Sequence, residues 1–182
     1  LPTVDSSPFT EDKRYLIGRM LHSSNGSYLM LKNKIEMLID GDATFNSLKN
    51  ELRSAKHYVH MQYFIIKDDE IGREIRDLLA EAARRGVKIR VLYDAVGSWS
   101  LKVKYFKPLF DLGVECHAFM PVALPIFRRQ MNYRNHRKIV VIDDRVAFTG
   151  GLNVGDEYLG KGHLGYWRDT HVKVEGEAVE AL

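Results

Sequence analysis

The stretch NHRKIVVIDDRVAFTGGLNVG, residues 135–155, combines two runs typical of β-strands with a concentration of polar side chains and glycines. Its runs KIVVI and RVAFTG are rich in residues that favour strands, and the Asp-Asp pair between them is typical of a tight turn. We therefore expect a β-hairpin. It carries one histidine, one lysine, two aspartates and three glycines, which are either incidental to the hairpin or part of a site.

Strand parity separates the polar residues of this hairpin. His136 and Lys138 stand two positions apart, so their side chains should project from the same face. Asp143 has the opposite parity and falls in the turn, where its carboxylate would tie the turn or neighbouring donors.

The returning strand ends in residues that suit a ligand. Gly150 and Gly151 have no side chains to keep a ligand from the backbone, and Asn153 supplies an amide able to donate to a phosphate oxygen. Each feature also has a structural explanation. A histidine at a strand edge is commonly hydrogen-bonded structure, Asp-Asp is a common turn, and Gly-Gly often marks only a bend.

An imidazole beside an ammonium suits phosphate chemistry. A neutral imidazole is a competent nucleophile towards phosphorus, and a fixed ammonium can hold the non-bridging oxygens as charge builds in the transition state. The region from 128 to 142 contains five cations and no acid: Arg128, Arg129, Arg134, Arg137 and Lys138. Such a patch favours a phosphate or an anionic surface, although a charged run is often only a solvated face.

The segments before the hairpin alternate between strand and helix patterns. Strand patterns occupy KIEMLID, YVHMQYFII, VKIRVLYDA and VECHAF, and a helix pattern follows each of the first three. Asp68, Asp69 and Glu70 stand where a helix N-terminus favours negative charge, and Gly86 closes that helix. This order predicts an α/β layered fold with a mixed, largely parallel sheet flanked by helices, after an irregular lead-in over residues 1–33.

Composition bounds the remaining possibilities. The chain has 182 residues, 45% of them hydrophobic, which predicts one compact domain, and its net charge of +3 is too small to indicate nucleic acid. A single cysteine, Cys116, excludes an intramolecular disulfide and a cluster of thiolate metal ligands, and favours a reducing compartment. No apolar run approaches the roughly 18 to 20 residues that span a bilayer.

Because the chain starts with Leu1 and stops as the helical pattern GEAVEAL begins, we expect a piece of a longer protein.

The polar residues of the hairpin form one continuous pattern, H-x-K-x(4)-D-x(6)-G-G-x-N, over residues 136–153. This pattern resembles the HKD motif of the phospholipase D superfamily. The segments LIDGDATFNSL, AKHYVHMQYFI, IGREIRDLLAEAARRGVKIRVLYDAVGS and GYWRDTHVKVEG further resemble the first catalytic half of bacterial cardiolipin synthases. The resemblance extends from about Lys34 to the end of the chain, so residues 34–182 are expected to form a phospholipase D-like half-domain, truncated at its C-terminus.

The resemblance implies a role for each residue of the motif. His136 would attack the phosphate or transfer a proton, with Lys138 and Asp143 completing the catalytic motif. Lys138, Gly151 and Asn153 would bind the substrate phosphate. The superfamily commonly has serine where this chain has Gly151, so a hydroxyl contact is absent here, although a Gly-Gly version is usual among cardiolipin synthases.

The resemblance also assigns a role to Asp169, which has the spacing of the acidic residue that orients the catalytic histidine. A salt bridge to Arg168 or to another surface partner is the alternative. His60 and Gln62 share a strand parity and could point to the end of the sheet where His136 lies, but hydrogen-bonded core residues are the simpler interpretation. No partner pattern distinguishes three other histidines, His117, His163 and His171.

The superfamily builds its site from two HKD motifs, and this chain contains one. The second would lie beyond Leu182 in a longer chain, which we expect first, or come from a homodimer mate. The expected reaction transfers a phosphatidyl group between two phosphatidylglycerol molecules through a phosphohistidine, giving cardiolipin and glycerol without cofactor or metal. The alternatives are a phospholipase D-type phosphodiesterase or nuclease, and an inactive lipid-binding half.

The Pro-containing stretch from 119 to 129 suits a membrane surface. Apolar side chains would lie near the acyl boundary and arginines at anionic head groups, the membrane-facing candidates being Ile126, Phe127, Arg128 and Arg129. The alternative is an ordinary loop packed on the core. We expect the protein at the bacterial cell membrane, facing the cytoplasm or associated with the membrane, with phosphatidylglycerol and the anionic membrane surface as partners and no nucleic acid.

Overall fold

The chain folds around a single β-sheet, seen in a computed structural model that describes residues 13–121, 134–162 and 165–182. The strands are β1 (Asn33–Ile39), β2 (Tyr58–Tyr63), β3 (Lys88–Asp94), β4 (Glu115–Phe119), β5 (Ile139–Ile142), β6 (Val146–Gly150) and β7 (Thr170–Gly176). The α-helices are α1 (Lys13–Asn25), α2 (Asp40–Ser54), α3 (Glu70–Arg84) and α4 (Val103–Phe110), and short 3₁₀ helices occupy Asp156–Leu159 and Glu177–Ala181. In the sheet the strands follow the order β1-β7-β6-β5-β2-β3-β4.

The sheet is mixed, and its parallel part is smaller than the sequence predicts. β2, β3 and β4 run parallel, whereas β5 pairs antiparallel with β2 and the series β5, β6, β7, β1 is antiparallel throughout. The three-residue turn over 143–145 is short enough to join only antiparallel neighbours, so the hairpin of β5 and β6 fixes the direction of this half of the sheet. The α/β layered class is confirmed, but parallel pairing is confined to three strands.

Helices α2, α3 and α4 pack on one face of the sheet through their apolar stripes. The buried residues of these stripes include Phe45, Leu48, Leu52, Ile71, Ile75, Leu78, Leu79, Tyr105, Phe106 and Leu109. Each buried side chain of this size contributes about 1.5–3 kcal/mol. As the sequence predicts, Asp69 caps α3 by accepting from the Gly72 amide at 2.9 Å, and Gly86 follows the helix with φ of 89°. These helices lie over the strands that lead to the site.

The lead-in over residues 1–33 is not irregular throughout, because residues 13–25 form α1. The apolar residues Leu16, Ile17 and Met20 of this helix are exposed. Their spacing, i, i+1 and i+4, puts them on one side of α1, but that side is exposed and does not belong to the buried core. Among the described residues, no helix is both long and apolar enough to cross a membrane.

The turn between β5 and β6 is tied to the start of β2 by Asp143. Its carboxylate accepts hydrogen bonds from three consecutive amides, those of Lys56 and His57 at 2.8 Å and that of Tyr58 at 2.9 Å. Burial opposes ionisation of Asp143, but these amides outweigh it and lower the pKa of the carboxyl below its usual value. Asp143 and Asp144 both have positive φ, 56° and 51°, as a type I′ hairpin turn requires.

Replacing Asp143 with glycine should therefore destabilise the fold. Glycine accepts the positive φ, so the change removes the acceptor of three amides without adding strain, and we expect a loss of about 1–3 kcal/mol in urea unfolding at pH 7. Because the folded pKa is lowered, the advantage of the wild type should shrink as the pH falls below about 4. Asp144→Gly is the matched control at the other positive-φ turn position and should cost less; equal losses would contradict the role of the three amides.

Candidate active site

The predicted site residues meet at one edge of the sheet. β5 and β7 are antiparallel to β2, β3 and β6. The amino ends of β5 and β7 therefore lie beside the carboxyl ends of β2, β3 and β6. His136 and Lys138 precede β5, Gly150 ends β6, and Asp169 precedes β7. Residues that are more than thirty positions apart in the chain are thus brought to one place.

His136 and Lys138 are in direct contact, as the strand parity predicts. The Lys138 Nζ lies 2.8 Å from Nδ1 of His136 and 2.8 Å from the His136 carbonyl oxygen. The same Nζ lies 3.4 Å from Nε2, and because an ammonium can only donate, the ring accepts this contact through a nitrogen that carries no proton. These contacts use two of the three N–H donors of Lys138, which leaves the third for a phosphate oxygen.

The surroundings of this pair favour a neutral imidazole. Lys138 is only 3% exposed, whereas His136 is exposed at the mouth of the site and its ring lies 4.4 Å from that of Phe64. Desolvation and the neighbouring ammonium lower the pKa of His136, against the opposing effect of Asp94. Burial also lowers the pKa of Lys138, while the Asp169 carboxylate acts in the opposite direction.

Asp94, which the sequence analysis missed, holds the segment that carries His136. It is 1% exposed at the end of β3 and accepts from the amide of Asn135 at 3.3 Å, with the Arg134 guanidinium 3.7 Å away. Its other oxygen accepts from the Val96 and Gly97 amides at 2.9 and 3.0 Å. The available signal was an acidic residue at the carboxyl end of a parallel strand, the position where α/β sheets place ligand-binding groups.

The Gly-Gly pair makes room for side chains of the site itself. A Cβ on Gly151 would lie 2.1 Å from an Asp169 carboxylate oxygen, and a Cβ on Gly150 would lie 2.6 Å from Nδ1 of His171. Both glycines are exposed. The pair therefore brings Asp169 and His171 close to the backbone of β6, in addition to the ligand access that the sequence predicts.

Asn153 is buried and held at both ends of its amide. Its Oδ1 accepts from the Ile65 amide at 3.1 Å, and its Nδ2 donates to the Tyr158 hydroxyl at 3.0 Å. The second Nδ2 hydrogen remains for another acceptor. Asn153 thus links the end of β2 to the segment after β6, and the predicted phosphate contact would use one hydrogen.

Asp169 lies in the site but does not contact His136. Its carboxylate accepts a hydrogen bond from the Thr170 amide at 2.6 Å. Its charge acts to raise the pKa of both Lys138 and His171, against the effect of burial. Arg168 donates to the backbone carbonyl of Asp169 at 2.7 Å, so the salt bridge weighed as an alternative is not what holds this carboxylate. The predicted orienting contact would need the Asp169 side chain to turn towards the imidazole.

His171 belongs to the site although no pattern in the sequence distinguished it. It is 1% exposed, and neither ring nitrogen has a hydrogen-bond partner. Burial lowers its pKa to about 4, with Asp169 opposing and Lys138 reinforcing the shift. Its backbone pairs with Gly150, so the ring shares the face of the sheet that carries Lys138. The signal in the sequence was its i+2 spacing from Asp169.

Several other predicted residues lie elsewhere. Asp143 is separated from His136 by the length of β5, a strand of four residues. His60 pairs with Val141, whose parity is opposite to that of Lys138, so it faces the other side of the sheet, as does Gln62 two positions on. The four membrane-facing candidates, residues 126–129, and His163 lie outside the described residues. In the described ranges no group of three or more His, Cys, Asp or Glu side chains could hold a metal ion.

Comparison with known sequences finds close relatives. A family profile described as cardiolipin synthase, PLD-like domain, matches residues 48–163. The chain is 48% identical over 168 residues to a cardiolipin synthase of Halalkalibacterium halodurans, a match that covers 92% of this chain and 33% of the relative. A cardiolipin synthase of a Geobacillus species is 44% identical over 180 residues, covering 98% of this chain and 36% of the relative. The chain spans about a third of the length of these relatives.

Solved structures share the fold. Nuc of Salmonella typhimurium, a phospholipase D family member, gives a TM-score of 0.61 at 15% identity, covering 82% of this chain and 89% of that chain. A phosphatidylserine synthase of Haemophilus influenzae gives 0.61 at 21% identity, covering 80% of this chain and 34% of that chain. At these identities the likeness concerns the fold alone.

The contact between Lys138 and His136 predicts a measurable coupling. Lys138→Met keeps the length of the buried side chain but removes its charge, so the pKa of His136 should rise. Titration of the histidine ring resonances by NMR measures this shift. Lys56→Met, which removes an exposed ammonium at the opposite end of β2, is the matched control and should leave His136 unchanged. A His136 pKa that falls, or stays constant, in Lys138→Met would exclude the coupling.

The buried His171 predicts a loss of stability in mild acid. The unfolded chain binds a proton near pH 6.5 and the folded chain only near pH 4, so folding stability should fall as the pH drops through this window. Between pH 7 and pH 5 the loss attributable to His171 is about 2 kcal/mol. Urea unfolding of His171→Met should lack this component, while the exposed-residue control His57→Met should keep it. An identical pH dependence in wild type and His171→Met would refute the assignment.

Proposed function

Because this chain belongs to the cardiolipin synthase family of phospholipase D-like domains, we propose that it supplies one half of a phosphatidyl-transfer site. The reaction proposed for the whole protein joins two phosphatidylglycerol molecules and releases cardiolipin and glycerol. The observation that carries the proposal is the contact of the buried Lys138 ammonium with the exposed His136 ring. This contact supports the proposed role of His136 as a nucleophile or proton carrier beside a fixed positive charge, at a mouth open to substrate.

The proposed chemistry proceeds in two displacements. One histidine attacks phosphorus of the first phosphatidylglycerol, the bond from phosphorus to the head-group glycerol oxygen breaks, and the second histidine gives that oxygen a proton. The second histidine then takes the proton from a hydroxyl of another phosphatidylglycerol as this oxygen attacks the phosphohistidine. The phosphorus–nitrogen bond breaks, and both histidines return to their initial states. Lys138 stabilises the non-bridging oxygens in both displacements.

The tautomer of His136 determines which part it can take. The contact with the Lys138 ammonium suits a neutral His136 ring, whereas a ring that gives a proton to a leaving oxygen must first be protonated on both nitrogens, which would displace the ammonium. To act as the nucleophile the ring needs its proton on Nδ1, and we propose that the Asp169 carboxylate accepts from that atom once its side chain turns towards the imidazole and Lys138 turns to the substrate. The proposed role of Asp169 is thus to hold the nucleophilic tautomer.

The second half of the site is proposed to come from the remainder of a longer chain. Its relatives are about three times the length of this chain, and His136, Gly150 and Gly151 are all exposed on the same edge of the sheet. A second HKD half that covers this edge would supply the other histidine. A homodimer mate placed by two-fold symmetry would serve the same purpose and remains the alternative arrangement.

The substrate also determines the proposed location. Phosphatidylglycerol is a lipid, so the site must work at an anionic membrane surface, and we propose the bacterial cell membrane as the place of action. Residues 126–129, proposed to contact that membrane, follow the described strand β4 and precede the segment that carries His136. This connection would put the lipid surface next to the mouth of the site.

The whole protein that contains this chain should convert phosphatidylglycerol vesicles into cardiolipin and glycerol in equal amounts. His136→Ala should lower the rate by roughly 10³-fold or more, and Lys138→Met by about 10²–10³-fold. Lipid products are separated by thin-layer chromatography, and glycerol is assayed enzymatically.

Two outcomes would contradict this proposal. Phosphatidic acid formed in place of cardiolipin would show that water is the acceptor and the protein a phosphodiesterase. Full activity in His136→Ala would exclude the site. His57→Ala is the matched control, since the His57 side chain is exposed and its amide contact with Asp143 does not involve the ring.

A further inference from the structure

Asp40, at the junction of β1 and α2, adopts an unusual backbone conformation beside the site. Its φ is 64°, in the left-handed region that few residues other than glycine occupy. Such conformations persist where several surrounding contacts hold the backbone in place, and they are concentrated at functional sites. The contacts of Asp40 show what holds it.

The backbone of Asp169 is clamped by Asp40 in both directions. The Asp40 amide donates to the Asp169 carbonyl at 3.0 Å, and the Asp169 amide donates to Oδ1 of Asp40 at 2.9 Å. The other carboxylate oxygen accepts from the Tyr166 hydroxyl, and the Arg168 guanidinium lies 3.7 Å from Oδ1. Asp40 therefore fixes the residue whose carboxylate fills the space above Gly151.

The next residue, Gly41, fixes a second part of the site. A Cβ at this position would lie 2.1 Å from the Tyr158 carbonyl oxygen, so only glycine lets the first turn of α2 approach that backbone. The hydroxyl of Tyr158 accepts from the Asn153 amide at 3.0 Å. One dipeptide thus contacts Asp169, the predicted orienting residue, and through Tyr158 supports Asn153, a predicted phosphate-binding residue.

We propose that Asp40 is a positioning residue of the phosphate site, which acts by holding Asp169 in register with Gly151 and Lys138. The inference rests on the proposed phosphatidyl-transfer function and adds a residue to its site. The left-handed backbone is what lets the amide and the carboxylate of one residue bind Asp169 together. A residue in helical or extended conformation would direct them differently.

Two substitutions in the whole protein separate the clamp from the backbone conformation. Asp40→Gly keeps the positive φ but removes the carboxylate, and Asp40→Asn keeps both the φ and an acceptor for the Asp169 amide. We expect kcat of Asp40→Gly to fall about 10- to 100-fold, as for a small misplacement of catalytic groups, with KM changed less than about threefold. Asp40→Asn should retain kcat within about threefold, because its side-chain oxygen rescues the contact. Asp42→Asn, the same change at an exposed position of the same helical turn, is the matched control.

The outcomes distinguish this inference from the function on which it rests. Wild-type kcat in Asp40→Gly, or equal loss of kcat in Asp40→Gly and Asp40→Asn, would overturn the positioning role. If the wild type hydrolyses phosphatidylglycerol, the proposed function fails, and the same comparison is read on the rate of hydrolysis. If it has neither activity, titration with inorganic phosphate, followed by the NMR shift of His136, replaces the rate. Weaker binding in Asp40→Gly alone then supports the clamp, and equal binding in all variants overturns it.

Discussion

The register of the β5–β6 hairpin is the constraint on which the rest of the site depends. Side chains alternate along a strand, so a shift of one residue in β5 would move Lys138 from the helix-covered face to the other face. The I′ turn and the three amides bound by Asp143 oppose such a shift, because both fix the end of β5 remote from the site. A residue with no contact to His136 thereby determines where His136 lies.

Burial of the Lys138 ammonium is tolerated because two of its three donors are occupied and a carboxylate lies nearby. Its Nζ has acceptors in the ring and the carbonyl of His136, and the Asp169 carboxylate favours its charged form. An unpaired buried ammonium would be strongly unfavourable. The contacts that stabilise the fold around Lys138 are therefore the same contacts that prepare it for a phosphate, and a substrate oxygen would complete its hydrogen bonding.

The sequence predicted the hairpin and its polar face because parity is a local property, readable from residues a few positions apart. It missed Asp94 and Asp40 because their partners are distant: Asn135 is 41 positions from Asp94, and Asp169 is 129 positions from Asp40. The share of parallel pairing was overestimated for a related reason, since strand and helix order does not determine which strands become neighbours. His171 was overlooked because burial, which sets its charge, depends on the packing of β1 and β6 on either side.

The charges of the described half favour completion by a second half. Lys138 brings one positive charge and Asp169 one negative charge, and the lowered pKa values of His136 and His171 keep both rings neutral at pH 7. Asp94 is likewise matched by Arg134. Displacement at a phosphodiester adds negative charge to the non-bridging oxygens, and among the described residues the one ammonium in contact with His136 is that of Lys138. We infer that a second lysine and a second histidine across the open edge are needed for electrostatic balance as well as for proton transfer.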